Sequence, residues 1–342
     1  MHHETYNHQI YIRMKTRKIG KLEVSAIGYG CMGLSHGYGA TPDKDDAIKL
    51  IRSAFDLGCT FFDTAEGYAF GQNEELLGEA VRPIRESVTI ATKFGGPKVV
   101  GTHLEPQELT PTEIRRHCED SLRRLQTDHI DIYYQHRVSE KVPVEEVAGC
   151  IGELIKEGKV LEWGLSQPTA DQIKRAHAVT PIATVQSEYS MMERYVETDV
   201  LPTCKLLGIS LVPFSPLASG FLSGKYKADT VYKGDDVRRF ITRFEEDNIK
   251  KNHPLLELIH EFCIRKDATY AQIALAWLMA KDERIVPIPG GRKLQRMQEN
   301  FGASEVVFTP EEFAELDRRL HGLVIYGNRT DEDIVFHSDT VG

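Results

Sequence analysis

Two hydrophobic periods alternate along the chain. In residues 47–58, AIKLIRSAFDLG, apolar positions recur every three or four residues, as on one face of a helix, whereas 59–64, CTFFDT, is a short apolar run of strand type. The same exchange repeats to the C-terminal third. Strand-like runs fall at 59–64, 88–93, 130–136, 160–166, 183–187, 209–214, 284–289 and 304–308, eight in all, with helix-length periodic segments between them. The helix ends are marked as well. Thr110-Pro111 with Glu113 and Thr309-Pro310 with Glu312 have capping-box spacing, and Gly58, Gly158 and Gly208 stand where helices should stop. Within 112–125, Ile114, Cys118, Leu122 and Leu125 share one apolar face.

Regular βα alternation with no linker or shift in composition predicts one domain over residues 15–342. The fold expected is an α/β (β/α)8 TIM barrel, with an N-terminal β-hairpin at 16–27 closing its bottom. Residues 1–14 are polar and are expected to be a flexible extension, with Met14 a second candidate start. Two segments exceed ordinary loop length, 215–253 and the tail 321–342, and are expected to shape the mouth at the C-terminal face.

One motif competes with this reading. Gly28, Gly30 and Gly33 have the G-x-G-x-x-G spacing of a dinucleotide-binding turn, but that turn works by opening directly into a helix. Here LSHGYGA follows, so no helix should start before Thr41-Pro42, with Thr41 as its expected N-cap.

Composition narrows the classes further. The formal charge of −9 argues against a nucleic-acid surface, which needs a basic face. Six cysteines without C-x-x-C or paired spacing read as reduced thiols of a cytoplasmic protein, and no metal site is expected. No apolar run is long enough to span a membrane, and the N-terminus is too polar for a signal peptide.

In a barrel, the C-terminal strand ends converge on the active site. Asp63, Lys93 and His136 end three successive predicted strands, and Tyr68 lies five residues beyond Asp63. Singly, each has an ordinary structural use as a cap, a snorkelling lysine, a packed ring or a core histidine. Together they make a proton donor. An ammonium beside a tyrosine lowers the pKa of the phenol, Asp63 would hold that ammonium charged, and His136 would orient a substrate carbonyl.

The stretches FFDTAEGYAFGQNEELLGEAV, IATKFG, DIYYQH, GLSQPT, TVQSEYS, FSPLASGFLSGK and IVPIPGGRKLQRMQENF resemble, in order, those of the aldo-keto reductases. The bacterial and plant branch related to potassium-channel β subunits is the nearest in pattern, over about residues 15 to 320. The resemblance implies a barrel that binds NADPH/NADP without a Rossmann fold, and a catalytic tetrad of Asp63, Tyr68, Lys93 and His136. It places Ser166, Gln167 and Gln186 at the nicotinamide carboxamide and Phe214 on the nicotinamide face, where Tyr or Trp is commoner. Ser215, Leu217 and Ser219 fall on the pyrophosphate loop. Gly290, Gly291, Arg292, Arg296, Glu299 and Asn300 fall on the adenosine-phosphate segment, the two arginines matching the 2′-phosphate. Gly291 departs from the usual Thr or Ser and removes one hydroxyl donor.

The expected activity is NADPH-dependent reduction of aldehydes, with ketones as a second class, by direct hydride transfer with Tyr68 as acid. The partner expected is a small-molecule carbonyl compound. Two alternatives stand beside it: a redox-sensing NADPH-binding regulatory subunit with slow turnover, and a barrel lyase forming a Schiff base on Lys93.

Overall fold

The computed structural model describes residues 14–100, 103–105, 107–139, 141–227 and 229–328. The expected extension, apart from Met14, and the tail beyond residue 328 lie outside them. The chain enters through an antiparallel hairpin, β1 (Thr16–Ile19) and β2 (Leu22–Ser25), as the sequence predicts. A seven-stranded parallel sheet follows. It runs in sequence order through β3 (Tyr29–Gly30), β4 (Phe61–Asp63) and β5 (Thr89–Phe94), skips the excursion hairpin β6 (Lys98–Val100) and β7 (His103–Glu105), and continues through β8 (Ile130–Gln135), β9 (Val160–Ser166), β10 (Thr184–Glu188) and β11 (Ser210–Phe214).

Residues 284–289 close the ring into a (β/α)8 barrel. Val286 and Ile288 donate to Leu211 and Pro213 of β11, at 2.9 and 3.1 Å, while Pro287 and Pro289 accept from Gly28 and Gly30, at 2.9 and 3.2 Å. The two prolines have no N–H to return toward β3, so that side of the ladder is one-directional.

Two expectations about the strands are corrected here. The first barrel strand is Tyr29–Gly30, too short and too glycine-rich to read as a strand. The segment 304–308 is outside the barrel: it begins in a 3-10 turn at Gly302–Glu305 and leads to the last helix, with Phe308 packed edge-on against Phe262. A third correction concerns the first helix, α1 (Lys44–Asp56), whose N-cap is Asp43 rather than Thr41.

The other helices are α2 (Gln72–Val81), α3 (Pro111–Leu125), α4 (Val144–Lys156), α5 (Ala170–Val179), α6 (Val200–Leu207), α7 (Glu246–Lys251), α8 (His253–Lys266), α9 (Tyr270–Lys281), α10 (Leu294–Phe301) and α11 (Pro310–His321). Both predicted capping boxes form, at α3 and α11. Gly58, Gly158 and Gly208 take positive φ where α1, α4 and α6 end. Ile114, Cys118, Leu122 and Leu125 are the buried face of α3.

Two cores result. Helices and outer strand faces form the larger one. Phe61, Ala91, Ile132, Tyr134, Val212 and Val286 fill the barrel interior, and Ile19 and Val24 of the hairpin close its floor. The hairpin thus packs against the bottom of the barrel, and the C-terminal strand ends lie at the top. All six cysteines are buried and free of disulfides. Among the described residues no helix is long and apolar enough to cross a membrane.

The glycine motif has a packing explanation. A Cβ on Gly28 would lie 2.5 Å from the Phe61 ring, and one on Gly30 would lie 2.8 Å from the Ile288 carbonyl oxygen. These glycines let β3 approach its neighbours where the barrel closes. Gly30 leads through Cys31 into a 3-10 turn at Met32–Leu34, with no helix to receive a pyrophosphate.

Candidate active site

The strand ends place the four expected residues as one group. Lys93, in β5, is fully buried. Its ammonium donates to Asp63 Oδ1 at 2.5 Å, to the Thr64 carbonyl at 2.7 Å and to Tyr68 Oη at 3.3 Å, which uses all three of its protons. Asp63 Oδ2 accepts from Gln186 Nε2 at 2.7 Å. His136 follows β8, where its N–H donates to the Phe94 carbonyl at 2.7 Å. Its ring stands edge-on to Tyr68 with centroids 6.0 Å apart.

Electrostatics inside this group is a contest between burial and charge. Burial pushes the Tyr68 phenol up, and the Lys93 charge offsets only part of the rise. The sequence expectation of a net lowering at Tyr68 is therefore corrected: the tyrosine keeps its proton through neutral pH. Burial acts to discharge Lys93, but Asp63 and Tyr68 outweigh it and hold the ammonium above its ordinary value. Burial likewise pushes the Asp63 carboxyl up against the opposing pull of Lys93. The result is a protonated, partly exposed phenol beside a permanent, buried positive charge.

The remaining candidates line the rim beyond this group. Ser166 and Gln186 are in register on neighbouring strands. Ser166 Oγ accepts from Arg137 at 3.3 Å. Gln167 takes a positive φ of 55°, donates its N–H to the Gln186 carbonyl at 2.9 Å, and accepts from Glu188 N at 3.2 Å and from the Tyr195 hydroxyl. Phe214 ends β11. From there Ser215, Ala218, Ser219 and Gly220 all take positive φ, and Leu217 accepts from the Gly220 and Leu222 amides.

The 290–300 segment is tied to this loop by Lys225, 3.7 Å from Glu299. Tyr29 Oη donates to the Gly291 carbonyl at 2.5 Å and Asn300 Nδ2 to the Gly290 carbonyl at 3.4 Å. Arg296 is paired with Glu299 at 2.8 Å. Arg292 donates to the carbonyls of Gly39, at 3.0 Å, and Ala40.

Several contacts had no signal in the sequence. Gln186 turned out to hold Asp63, a contact spanning 123 positions. His36, from the 31–41 loop, lies 5.3 Å from the Tyr68 ring, and burial lowers its pKa against the opposing pull of Asp235. Asn73 is buried and joins the Thr64 hydroxyl, at 2.6 Å, to the Cys31 carbonyl and Ser35 hydroxyl.

This fold and strand-end site define a class. A sequence profile of the Aldo/keto reductase family matches residues 26–320, and the chain belongs to that family of oxidoreductases. Over 298 residues it is 41% identical to "Probable aldo-keto reductase 1" of soybean, Glycine max, covering 86% of this chain and 85% of that one. Among solved structures, a glycerol dehydrogenase from Gluconobacter oxydans superposes with a TM-score of 0.80 at 27% identity, over 92% of this chain and 97% of that one. An aldo/keto reductase from Klebsiella pneumoniae, solved with NADP and acetate, does so with a TM-score of 0.70 at 27% identity, over 93% and 99%.

Proposed function

We propose that the protein reduces aldehydes, and ketones as a second class, to alcohols with NADPH, Tyr68 acting as general acid. The observation that carries this reading is the buried Lys93 ammonium bonded at once to Asp63, at 2.5 Å, and to Tyr68 Oη, at 3.3 Å. Bound NADPH supplies a hydride to the carbonyl carbon.

Tyr68 gives its Oη proton to the carbonyl oxygen as charge builds there, and the Lys93 charge stabilises the phenolate left behind. Asp63 keeps Lys93 ionised, and Gln186 keeps Asp63 in place. His136, edge-on to the phenol, directs the carbonyl oxygen toward it. The same charge argues against the lyase reading, since a Schiff-base lysine must lose its proton and Asp63 opposes that loss.

The residues fit the cofactor. Ser219 Oγ is enclosed and has no hydrogen-bond partner, in a turn whose left-handed residues need outside support. A hydroxyl in that state costs free energy that a pyrophosphate oxygen would remove. Ser215 and Leu217 belong to the same turn, Phe214 offers an aromatic face, and Ser166, Gln167 and Gln186 cluster beside it for the carboxamide. Gly290, Gly291, Glu299 and Asn300 form the adenosine side, with Arg292 and Arg296 toward the 2′-phosphate. The NADP in the Klebsiella relative supports the same cofactor.

The deciding experiment is Tyr68→Phe. NADPH affinity, read by fluorescence titration, should stay within about twofold, while NADPH oxidation with 4-nitrobenzaldehyde falls by about 10²–10⁴-fold, the usual worth of a general acid. A variant within a few-fold of wild type would sink the assignment. Slow turnover of the wild type on every aldehyde tried would favour the regulatory subunit instead.

A further inference from the structure

The turn that carries Tyr68 is in an unfavourable conformation. Ala69, Phe70 and Gly71 follow one another with φ of 48°, 55° and 88°, and Phe70 is wholly exposed, so its own packing does not hold it. Non-glycine residues adopt this region at a cost and keep it only when their surroundings impose it. Two carboxylates stand at the two ends of the turn.

Before it, Glu66 is bound once to β5 and once to the residue that follows that strand. Its N–H donates to the Lys93 carbonyl at 3.2 Å, and its Oε1 accepts from Gly95 N at 2.9 Å. Its Oε2 pairs with His117 Nδ1 of α3 at 2.6 Å. After it, Glu74 is completely buried. Its Oε1 accepts from Thr92 Oγ1 of β5 at 2.5 Å, and its Oε2 from Arg124 Nε of α3 at 2.6 Å. Arg124 also roofs Gly71, where a Cβ would lie 2.6 Å from its Cδ.

The two arrangements match. His117 and Arg124 are two helical turns apart and so lie on one face of α3. Thr92, on β5, and Gly95, the residue just after it, bracket Lys93. A carboxylate on each side of Tyr68 thus joins its turn both to the strand that carries Lys93 and to the helix behind that strand. A fully buried carboxylate is costly to keep, and an apolar residue would pack as well.

We propose that Glu66 and Glu74 are positioning residues for catalysis, clamping the Tyr68 turn so that the phenol stays within hydrogen-bond reach of the Lys93 ammonium. The proposal rests on Tyr68 being the acid. Neither carboxylate touches the reacting atoms; each acts through the turn. Displacing a reacting group by about 1 Å can cost about 10²-fold in rate.

The test measures single-turnover aldehyde reduction with NADPH prebound, for Glu66→Gln, Glu74→Gln, Thr92→Val, Tyr68→Phe and Tyr68→Phe/Glu74→Gln. Glu74→Gln removes the negative charge facing Arg124 and leaves Thr92 to accept from the amide NH2 instead of donating to a carboxylate, so both ties weaken. Thr92→Val keeps the Arg124 pair and cuts only the tie to β5, so it carries the test if Glu74→Gln fails to fold. Glu66→Gln and Glu74→Gln should each lower the rate about tenfold or more and Thr92→Val less, with the NADPH dissociation constant within about twofold. In the Tyr68→Phe background Glu74→Gln should add almost nothing, because a residue acting through Tyr68 has nothing left to position.

Clamp variants that melt earlier but reduce at the wild-type rate would overturn the clamp and leave the acid in place. An equal loss from Glu74→Gln with and without Tyr68 would overturn it too. A Tyr68→Phe variant at the wild-type rate would overturn the acid itself, and the clamp with it.

Discussion

Replacing Lys93 by Met should damage both stability and chemistry, by amounts that follow from its contacts. The buried ammonium donates to Asp63, itself buried, and to Thr64 and Tyr68. Methionine fills the stem volume but leaves the Asp63 carboxylate buried, with the neutral Gln186 amide still donating to it. Breaking a buried pair by removing one member costs about 3–5 kcal/mol. With unfolding entropy near 2 cal/mol/K per residue, the 342-residue chain changes by about 0.7 kcal/mol/K. The melting temperature should therefore fall by about 4–7 °C at neutral pH.

The deficit should shrink in acid. Burial already raises the Asp63 pKa, and without Lys93 it rises further, so the folded state takes up a proton more readily than the unfolded chain. Lowering the pH then favours the folded variant. Adding Asp63→Asn to Lys93→Met removes the stranded charge and should recover most of the lost stability at pH 7. Turnover should stay about 10²-fold down or lower in both, because the phenolate has lost its counter-charge. Circular-dichroism melts and NADPH-oxidation assays read the two effects separately. A Lys93→Met protein that melts within about 1 °C of wild type and turns over within about threefold would refute the whole electrostatic account.

Arg292→Ala should weaken NADPH by about tenfold, the low end of the 1.5–3 kcal/mol of a charged hydrogen bond at 1.4 kcal/mol per decade, and leave NADH within about twofold in fluorescence titrations. Its bonds to the Gly39 and Ala40 carbonyls add a second expectation, a raised KM for aldehyde, since the same change frees one wall of the mouth. Gly30→Ala should cost about 1–3 kcal/mol in denaturant titrations, because its Cβ meets the Ile288 carbonyl at 2.8 Å, whereas Gly33→Ala, with its nearest atom at 3.6 Å, should be neutral. Equal losses at the two glycines would contradict the packing explanation. The reduction rate should stay level from neutral pH upward and decline only above about pH 10, since burial raises Tyr68 beyond an ordinary tyrosine and the acid works while protonated; a half-maximum near pH 7 would assign the acid elsewhere.

Local chemistry made much of this protein legible in its sequence. The capping boxes at Thr110 and Thr309 and the helix-ending Gly58, Gly158 and Gly208 depend on residues a few positions apart, and they appear where expected. The alternation of strand and helix periods leads to a barrel, and a barrel brings strand ends together, which is why the sequence alone groups Asp63, Lys93 and His136 with Tyr68. What pattern could not reach was pairing across the ring. Tyr29–Gly30 has no strand character of its own and becomes a strand by pairing in parallel with Phe62 and Asp63 of β4, while Pro289 accepts from Gly30 on its other side. The run at 304–308 has strand character and finds no edge to join.

The sequence by itself determined which residues could carry charge and where helices begin and stop, because those properties are local. The tertiary structure decided the balance of forces among them. Gln186 reaches Asp63 only once β10 and β4 line the same barrel, and Arg292 spends hydrogen bonds on loop carbonyls that are more than 250 positions away in the chain. Tyr68 shows the difference most directly. A neighbouring lysine, read from sequence, predicts a lowered pKa, yet enclosure by the folded chain raises it, since desolvation depends on everything that surrounds the phenol and outweighs the one charge beside it.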